Sequence, residues 1–269
     1  MVSMLLRRLA LGPALIALAA CASGGTSSTP APSPAASRAE ITSTESLLRA
    51  MRDQYAGKWY RTLTFVQAST YYKPDGTVDR VETWREAGMI PGRLRIDTDT
   101  AAGNGVVYAN DSLYVFAQGN LQRALNRQNE LMVLGFDVYH LEPAQSLAQL
   151  AKLGFDVTKI RRAVHDGRAY FVVGADANDL TSKQFWIDAE MLLFWRAFLP
   201  PPQPGRPVTE IRFQNYKPHG GGWVGEEVDF LENGKRTFFE KYSDVKVNVS
   251  LNEAIFDPKR FGETRFWWR

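Results

Sequence analysis

Trp223-Val224-Gly225-Glu226-Glu227-Val228-Asp229-Phe230-Leu231-Glu232-Asn233-Gly234-Lys235-Arg236-Thr237-Phe238-Phe239-Glu240 is the stretch that decides the fold. Two runs rich in β-branched and aromatic residues flank Asn-Gly, the dipeptide that accepts positive φ at both centres of a tight hairpin turn. The reading is an antiparallel hairpin of 223–232 with 235–249. Working outward, the same grammar recurs. Gly220-Gly221-Gly222 joins 223–232 to 208–217, and Ala189-Glu190 separates 183–188 from 191–199. His165-Asp166-Gly167-Arg168 lies between 160–164 and 169–174, Asn110-Asp111 between 106–109 and 112–118, and Lys73-Pro74-Asp75-Gly76 between 59–71 and 78–87. Pro91-Gly92 precedes 94–97. Roughly ten or eleven strands with mainly hairpin connections follow, and open sheets of about ten strands tend to curl, giving a concave face.

Side-chain parity says what the faces do. Leu63 and Phe65, Leu94 and Ile96, Leu113 and Val115, Phe185 and Ile187, and Ile211 and Phe213 put large apolar groups on one side of their strands. The opposite parity is polar at Arg93, Arg95 and Asp97 and at Glu210, Arg212 and Gln214, so it is expected to meet water. Two helices are predicted as cover. Thr42 and Glu45 have capping-box spacing ahead of Leu47, Leu48, Met51 and Tyr55, with Gly57 as the stop. Pro143 opens the other, with Leu147, Leu150 and Leu153 spaced by three and Gly154 after it. The apolar run 131–139 reads equally as a buried helical turn or a strand. Two short helices cover so wide a face thinly, which leaves either a filled core or an apolar cavity.

The amino-terminal segment carries a different signal. Arg7 and Arg8 precede an apolar run of 12 residues, Leu9 to Ala20, broken only by Gly12 and Pro13. That is short of the roughly 20 residues of a spanning helix and matches a secretory signal segment. Leu18-Ala19-Ala20-Cys21 contains the single cysteine of the chain and resembles the lipobox of bacterial lipoproteins. The resemblance implies cleavage before Cys21 and lipidation of Cys21, and Ala22 after it favours the outer membrane. Acyl chains at ~0.8 kcal/mol per buried methylene would then hold the protein to the membrane. Residues 21–40, almost all Ser, Thr, Pro, Ala and Gly, read as a flexible tether, and residues 41–269 as one folded domain. Its class is α+β and mainly β: a curved antiparallel sheet, an unclosed half-barrel, with a few helices on the concave face.

Removing Arg7 and Arg8 lowers the formal charge from +3 to +1. Basic and acidic residues interleave with no Lys/Arg cluster, which argues against a nucleic-acid partner. With Cys21 lipidated no thiol remains for a disulfide or a thiolate catalyst. His140, His165 and His219 are far apart, lack metal-ligand spacing, and the last two read as solvated turn residues. No nucleophile elbow, phosphate loop or dinucleotide fingerprint is present, so neither enzyme activity nor a cofactor or metal is expected. Glu227 and Asp229 share a strand face with Trp223, read as a solvated outer face. The proline-rich stretch 200–207 reads as a stiff spacer, with a partner-docking edge as the alternative. Phe266-Trp267-Trp268 is expected to pack back on the sheet.

The stretches Pro91-Gly92-Arg93-Leu94-Arg95-Ile96-Asp97, Asp111-Ser112-Leu113-Tyr114-Val115-Phe116 and Leu134-Gly135-Phe136-Asp137-Val138-Tyr139, set in a helix, meander, helices and meander, resemble the LolA/LolB-like bacterial lipoprotein carriers and receptors. The resemblance covers roughly residues 42–258 and implies a half-barrel, closed by a helical lid, that binds acyl chains of lipoproteins or other apolar ligands. The lipidated end makes the chain more similar to the membrane-anchored receptor than to the soluble carrier. No ligand-contacting residue transfers individually. On this reading Leu63, Phe65, Leu94, Ile96, Phe185, Ile187, Ile211 and Phe213 wall the cavity, although ordinary core packing accounts for each equally well. The partners are then the membrane, through the lipid anchor, and an apolar ligand or lipoprotein acyl chain. A structural envelope lipoprotein with a filled core is the other reading.

Overall fold

Hairpin turns at nearly every strand end leave the chain little choice but to lay each strand beside the last, and the computed structural model is a long antiparallel meander. It describes residues 40–203 and 205–269; the expected signal segment, Cys21 and all of the tether but Glu40 lie outside the described residues. Helix α1 (Thr44–Gln54) opens the domain. Strands β1 (Thr62–Tyr72), β2 (Val78–Met89), β3 (Arg93–Asp99), β4 (Asn104–Ala109), β5 (Ser112–Ala117) and β6 (Asn120–Leu125) follow. Helix α2 (Glu130–Gly135), a 3-10 turn (Asp137–Tyr139) and helix α3 (Pro143–Lys152) interrupt the meander. It resumes with β7 (Ile160–His165), β8 (Arg168–Val173), β9 (Gln184–Asp188), β10 (Phe194–Leu199), β11 (Thr209–His219), β12 (Gly222–Glu232) and β13 (Lys235–Val247). Two 3-10 turns, Glu253–Phe256 and Pro258–Arg260, lead into the carboxyl-terminal segment.

One sheet of 13 strands results, in the order β6-β5-β4-β3-β2-β1-β13-β12-β11-β10-β9-β8-β7. The pairing of β1 with β13 joins the two halves, while β6 and β7 remain as edges, so the sheet does not close. This is the unclosed half-barrel expected, with more strands than ten or eleven. The strand with no predicted counterpart is β6, every residue of which is exposed, so it carries no alternation to detect. Asn233-Gly234 turns the β12–β13 hairpin with φ of 51° and 75°. The Gly220-Gly221 turn also has positive φ at both positions, and Gly222 lies so close to Trp59 that a Cβ there would stand 2.9 Å from its ring.

Two details of the helices differ from expectation. The first N-cap is Ser43, whose hydroxyl accepts from the Ser46 N–H at 3.1 Å while Ser46 Oγ accepts from the Ser43 N–H at 3.0 Å, in place of Thr42 with Glu45. Serine at both ends closes the same reciprocal box. The ambiguous run 131–139 is helical, α2 followed by the 3-10 turn, which makes three α-helices where two were expected.

These helices cover part of the concave face. Leu47, Leu48 and Met51 of α1, Leu134 of α2 and Leu150 of α3 are buried against Phe171, Phe185, Ile187, Phe194, Ile211 and Val228 of the sheet. Trp59 stacks on Tyr139 at 3.8 Å between ring centres, and Tyr55 meets both rings edge-on. Each such side chain contributes roughly 1.5–3 kcal/mol by leaving water.

The other face departs from the sequence reading. Arg93, Arg95 and Asp97 were expected to meet water, but Arg95 and Asp97 are wholly buried beneath the carboxyl-terminal segment. Arg95 grips Asp97 with two bonds of 2.8 and 2.9 Å and donates to Ile255 O and Thr264 Oγ1. Trp267 donates from Nε1 to Asp97 at 2.7 Å and so packs back on the sheet as expected, whereas Phe266 stays exposed. Phe261 stacks on Phe116 at 4.0 Å above Gly105, where a Cβ would collide with Ile96 O. Glu210, also expected in water, is buried between Arg196 and Arg212. A buried charge persists only when paired, and each of these is.

A cleft at the edge of the helical cover

The helices stop short of the concave faces of β2 and β3, and a cleft opens at that border. Leu63 and Phe65 of β1, Leu94 and Ile96 of β3, and Leu131, Met132 and Phe136 at and beyond α2 form its walls, with Phe213 and Tyr242 at the far side. Its cavity volume is about 80 Å³, and it opens to solvent on one side. That is below the ~300–1,000 Å³ of drug-sized sites, so the cleft is a narrow slot. Phe65 and Tyr242 stack at 4.1 Å and form part of the floor.

Local chemistry fixes the wall contributed by α2. Asn129 caps the helix by accepting from Leu131 and Met132 N–H groups, and Lys183 bonds to Glu130 at 3.0 Å. Asp137, buried just after α2, accepts from Gly92 N–H at 3.1 Å and so ties the turn after β2 to the end of that helix. Burial pushes the Asp137 carboxyl up to about 7, and the bond from Gly92 pulls the other way. Two of the three stretches that carry the family resemblance therefore meet here.

Leu63, Phe65, Leu94, Ile96 and Phe213 stand together on the cleft. Leu63, Phe65 and Phe213 also belong to the packed core, and Phe185, Ile187 and Ile211 lie in that core with Phe194 and Val228, away from the cleft, which is the core alternative recognised for every member of the set. Parity put all eight on one face, but only the extent of the helical cover separates wall from core. The sequence reading missed Met132 and Phe136, which fell in the unresolved run, and two acids on the same face, Glu86 and Glu240. Their signal was available: Glu240 shares parity with Phe238 and Tyr242, and Glu86 with Trp84. Burial, followed by the charges of Glu240 and Asp97, raises Glu86 well above the carboxylate range. Burial also pushes Glu240 up to about 7, against hydrogen bonds from Tyr242 and Gln67.

Histidines and the other acids are engaged elsewhere. His219, read as a solvated turn residue, is tucked against Glu226 at 3.0 Å, and Lys217 reaches the same carboxylate. His165 packs on Trp195 with ring centres 5.3 Å apart, and His140 Nε2 lies 3.0 Å from Tyr60 O. Asp229, expected on a solvated face, is buried and pairs with Arg236 and Gln214. Among the described residues no three His, Cys, Asp or Glu side chains converge as a metal site. No helix among them is long and apolar enough to cross a membrane.

No protein-family model matches the sequence, and no curated protein matches it. Solved structures do match in fold. A DUF1329 family protein from Desulfovibrio piger is 14% identical with a TM-score of 0.52, over 81% of this chain and 97% of the other. A LolA superfamily protein from Nitrosomonas europaea is 13% identical with a TM-score of 0.50, over 80% and 97%. An outer membrane lipoprotein-sorting protein domain from Vibrio parahaemolyticus, described as putative, is 12% identical with a TM-score of 0.52, over 82% and 98%. The protein has the LolA-like fold.

Proposed function

We propose that this chain is a lipid-anchored protein of a bacterial envelope, held through Cys21 in the outer membrane, that shelters an acyl chain or a similar apolar ligand in the cleft between α2 and the concave sheet. The observation that carries the reading is the apolar cleft walled by Leu63, Phe65, Leu94, Ile96, Met132 and Phe136. A buried run of about eight methylenes at ~0.8 kcal/mol each supplies about 6 kcal/mol, which offsets association costs of that order. Affinity comes from burial, so tolerance of ligand structure is broad. The LolA-like fold and the sorting role named for the Vibrio parahaemolyticus domain support a place in lipid or lipoprotein traffic. Binding rather than catalysis is supported by the way each histidine is held by a structural partner.

Native mass spectrometry of the full chain carrying Cys21→Ser, expressed in a lipid-containing bacterial host, tests the proposal. Bound lipid is expected, and Leu94→Trp, which fills the cleft from β3, should remove it. Protein that is dry under gentle ionisation and takes up no added fatty acid would refute the carrier reading. It would favour the tethered scaffold, which the packing of Phe185, Ile187 and Ile211 into a solid core also fits.

A further inference from the structure

The apolar cleft has an acidic floor. Glu86 on β2 and Glu240 on β13 both line it, flanking β1, where Phe65 stands opposite Glu86 and Ser69 opposite Glu240. Glu86 keeps 6% of its exposure and accepts no hydrogen bond from any described residue. Glu240 accepts from Tyr242 Oη at 2.7 Å and from Gln67. Between them, wholly buried on the same face of β1, Gln67 donates to Ser69 and Glu240 and leaves Oε1 without a partner.

No cation among the described residues answers these acids. Arg93 reaches the cleft, but its guanidinium is turned to Glu253 at 2.9 Å. Arg80, on the floor side of β2, is bound by Asp79 and Glu82, and Glu82 also receives Trp84 Nε1. Lys241 has the opposite parity and pairs with Glu227. Asp97 belongs to Arg95 on the far face. Tyr108 and Tyr242, the phenols near Glu86, add no positive charge. A carboxylate against apolar walls with no cation beside it is costly to ionise until something supplies a positive charge.

We infer that the cleft selects an amphiphile with a cationic amine head, its alkyl tail against Leu63, Phe65, Leu94 and Met132 and its ammonium between Glu86 and Glu240. The inference rests on the proposal that the cleft holds an apolar chain. An ammonium has three donors and no acceptor, which suits a floor of acceptors, and charge-assisted bonds are about twice as strong as neutral ones. The stacked Phe65 and Tyr242 rings offer the cation a further favourable surface. The raised proton affinities of the two acids are what a cation-free site of this kind produces, and an arriving ammonium would release their protons.

The test compares dodecylamine with 1-dodecanol, which share one tail, by titration calorimetry on the full chain carrying Cys21→Ser, below the aggregation limit of either probe. At pH 8 the amine should bind at least about tenfold tighter, the equivalent of one charge-assisted bond. Glu86→Gln with Glu240→Gln should bring the two within about threefold by weakening the amine alone, and lowering the pH to 5.5 should do the same to the wild type. Circular dichroism checks that the double variant is folded; if it is not, Glu240→Gln alone carries the comparison. Equal binding of both probes at pH 8, or an amine preference that survives the glutamines, overturns this inference and leaves the cleft reading standing. Failure of both probes to bind overturns the two together.

Discussion

Asp97→Ala puts the burial of the outer face to a quantitative test. Arg95 is wholly inaccessible, and its one counter-charge among the described residues is Asp97, held at 2.8 and 2.9 Å. Removing that carboxylate leaves a buried guanidinium with only neutral oxygens, Ile255 O at 3.1 Å, Thr264 Oγ1 at 2.6 Å and Phe261 O at 3.3 Å, and takes the acceptor from Trp267. Breaking a buried pair from one side costs about 3–5 kcal/mol. For a domain of this size that lowers Tm by roughly 6–20 °C. Arg95→Met with Asp97→Leu should recover a good part of the loss, since no charge is then stranded. Urea unfolding followed by tryptophan fluorescence measures both, with Trp267 close enough to report. A single substitution that costs under about 1 kcal/mol, or a double one as damaging as the single, would mean that the carboxyl-terminal segment does not seal this pair from water.

Three further outcomes follow from the same structure. Glu240 titrates at about 7 when folded, against ~4.3 for an unperturbed glutamate, so the folded state binds the extra proton between those values. Stability therefore falls as pH rises through that window. Glu240→Gln should flatten the fall by about 2 kcal/mol between pH 5 and 8, read from urea midpoints; Asp137, also raised to about 7, keeps a residual slope of the same sign. Leu94→Trp should weaken dodecanol binding by at least about tenfold through loss of cleft volume, with Tm held within a few degrees, and unchanged binding would place the ligand elsewhere. Metabolic labelling with an alkyne fatty acid should mark the wild type and spare Cys21→Ser, and an unlabelled wild type would remove the anchor.

How much of this was legible in the sequence depended on what each residue's neighbours reveal. Asn233-Gly234 and the other turns announce themselves because φ > 0 is tolerated by few residues, and so the meander and its antiparallel register were readable. β6 was not, because an edge strand exposed on both faces has no reason to alternate. Leu131-Met132-Val133-Leu134 is apolar on all sides and carries no period, so its helical state is set by the Asn129 cap and by burial against the sheet. Arg95 and Asp97 misled for another reason: parity identifies a face but cannot tell that 17 carboxyl-terminal residues will return to cover it. Leu94 on the cleft and Phe185 in the core share one sequence signature and are separated only by where α1, α2 and α3 end.

The two faces of the sheet are closed by unlike means, and the cleft is a consequence. On the outer face the segment from Glu253 onward lies across β3, β4 and β5, with Phe261, Ile255 and Trp267 filling what Gly105 and the buried ion pair leave. On the concave face the three helices cover β8 to β12 but leave Leu94 and Ile96 only half buried. A side chain that fills this gap would add apolar burial at ~25 cal/mol per Å² and discharge no function. The chain instead keeps Gly88 there and sets Glu86, an unpaired acid, into the floor. A protein shaped by stability alone would have neither. Glu86→Leu, which exchanges that acid for an apolar side chain, should therefore raise the urea midpoint of the full chain while abolishing preference for an amine; a lower midpoint would show that Glu86 supports the fold instead of the site.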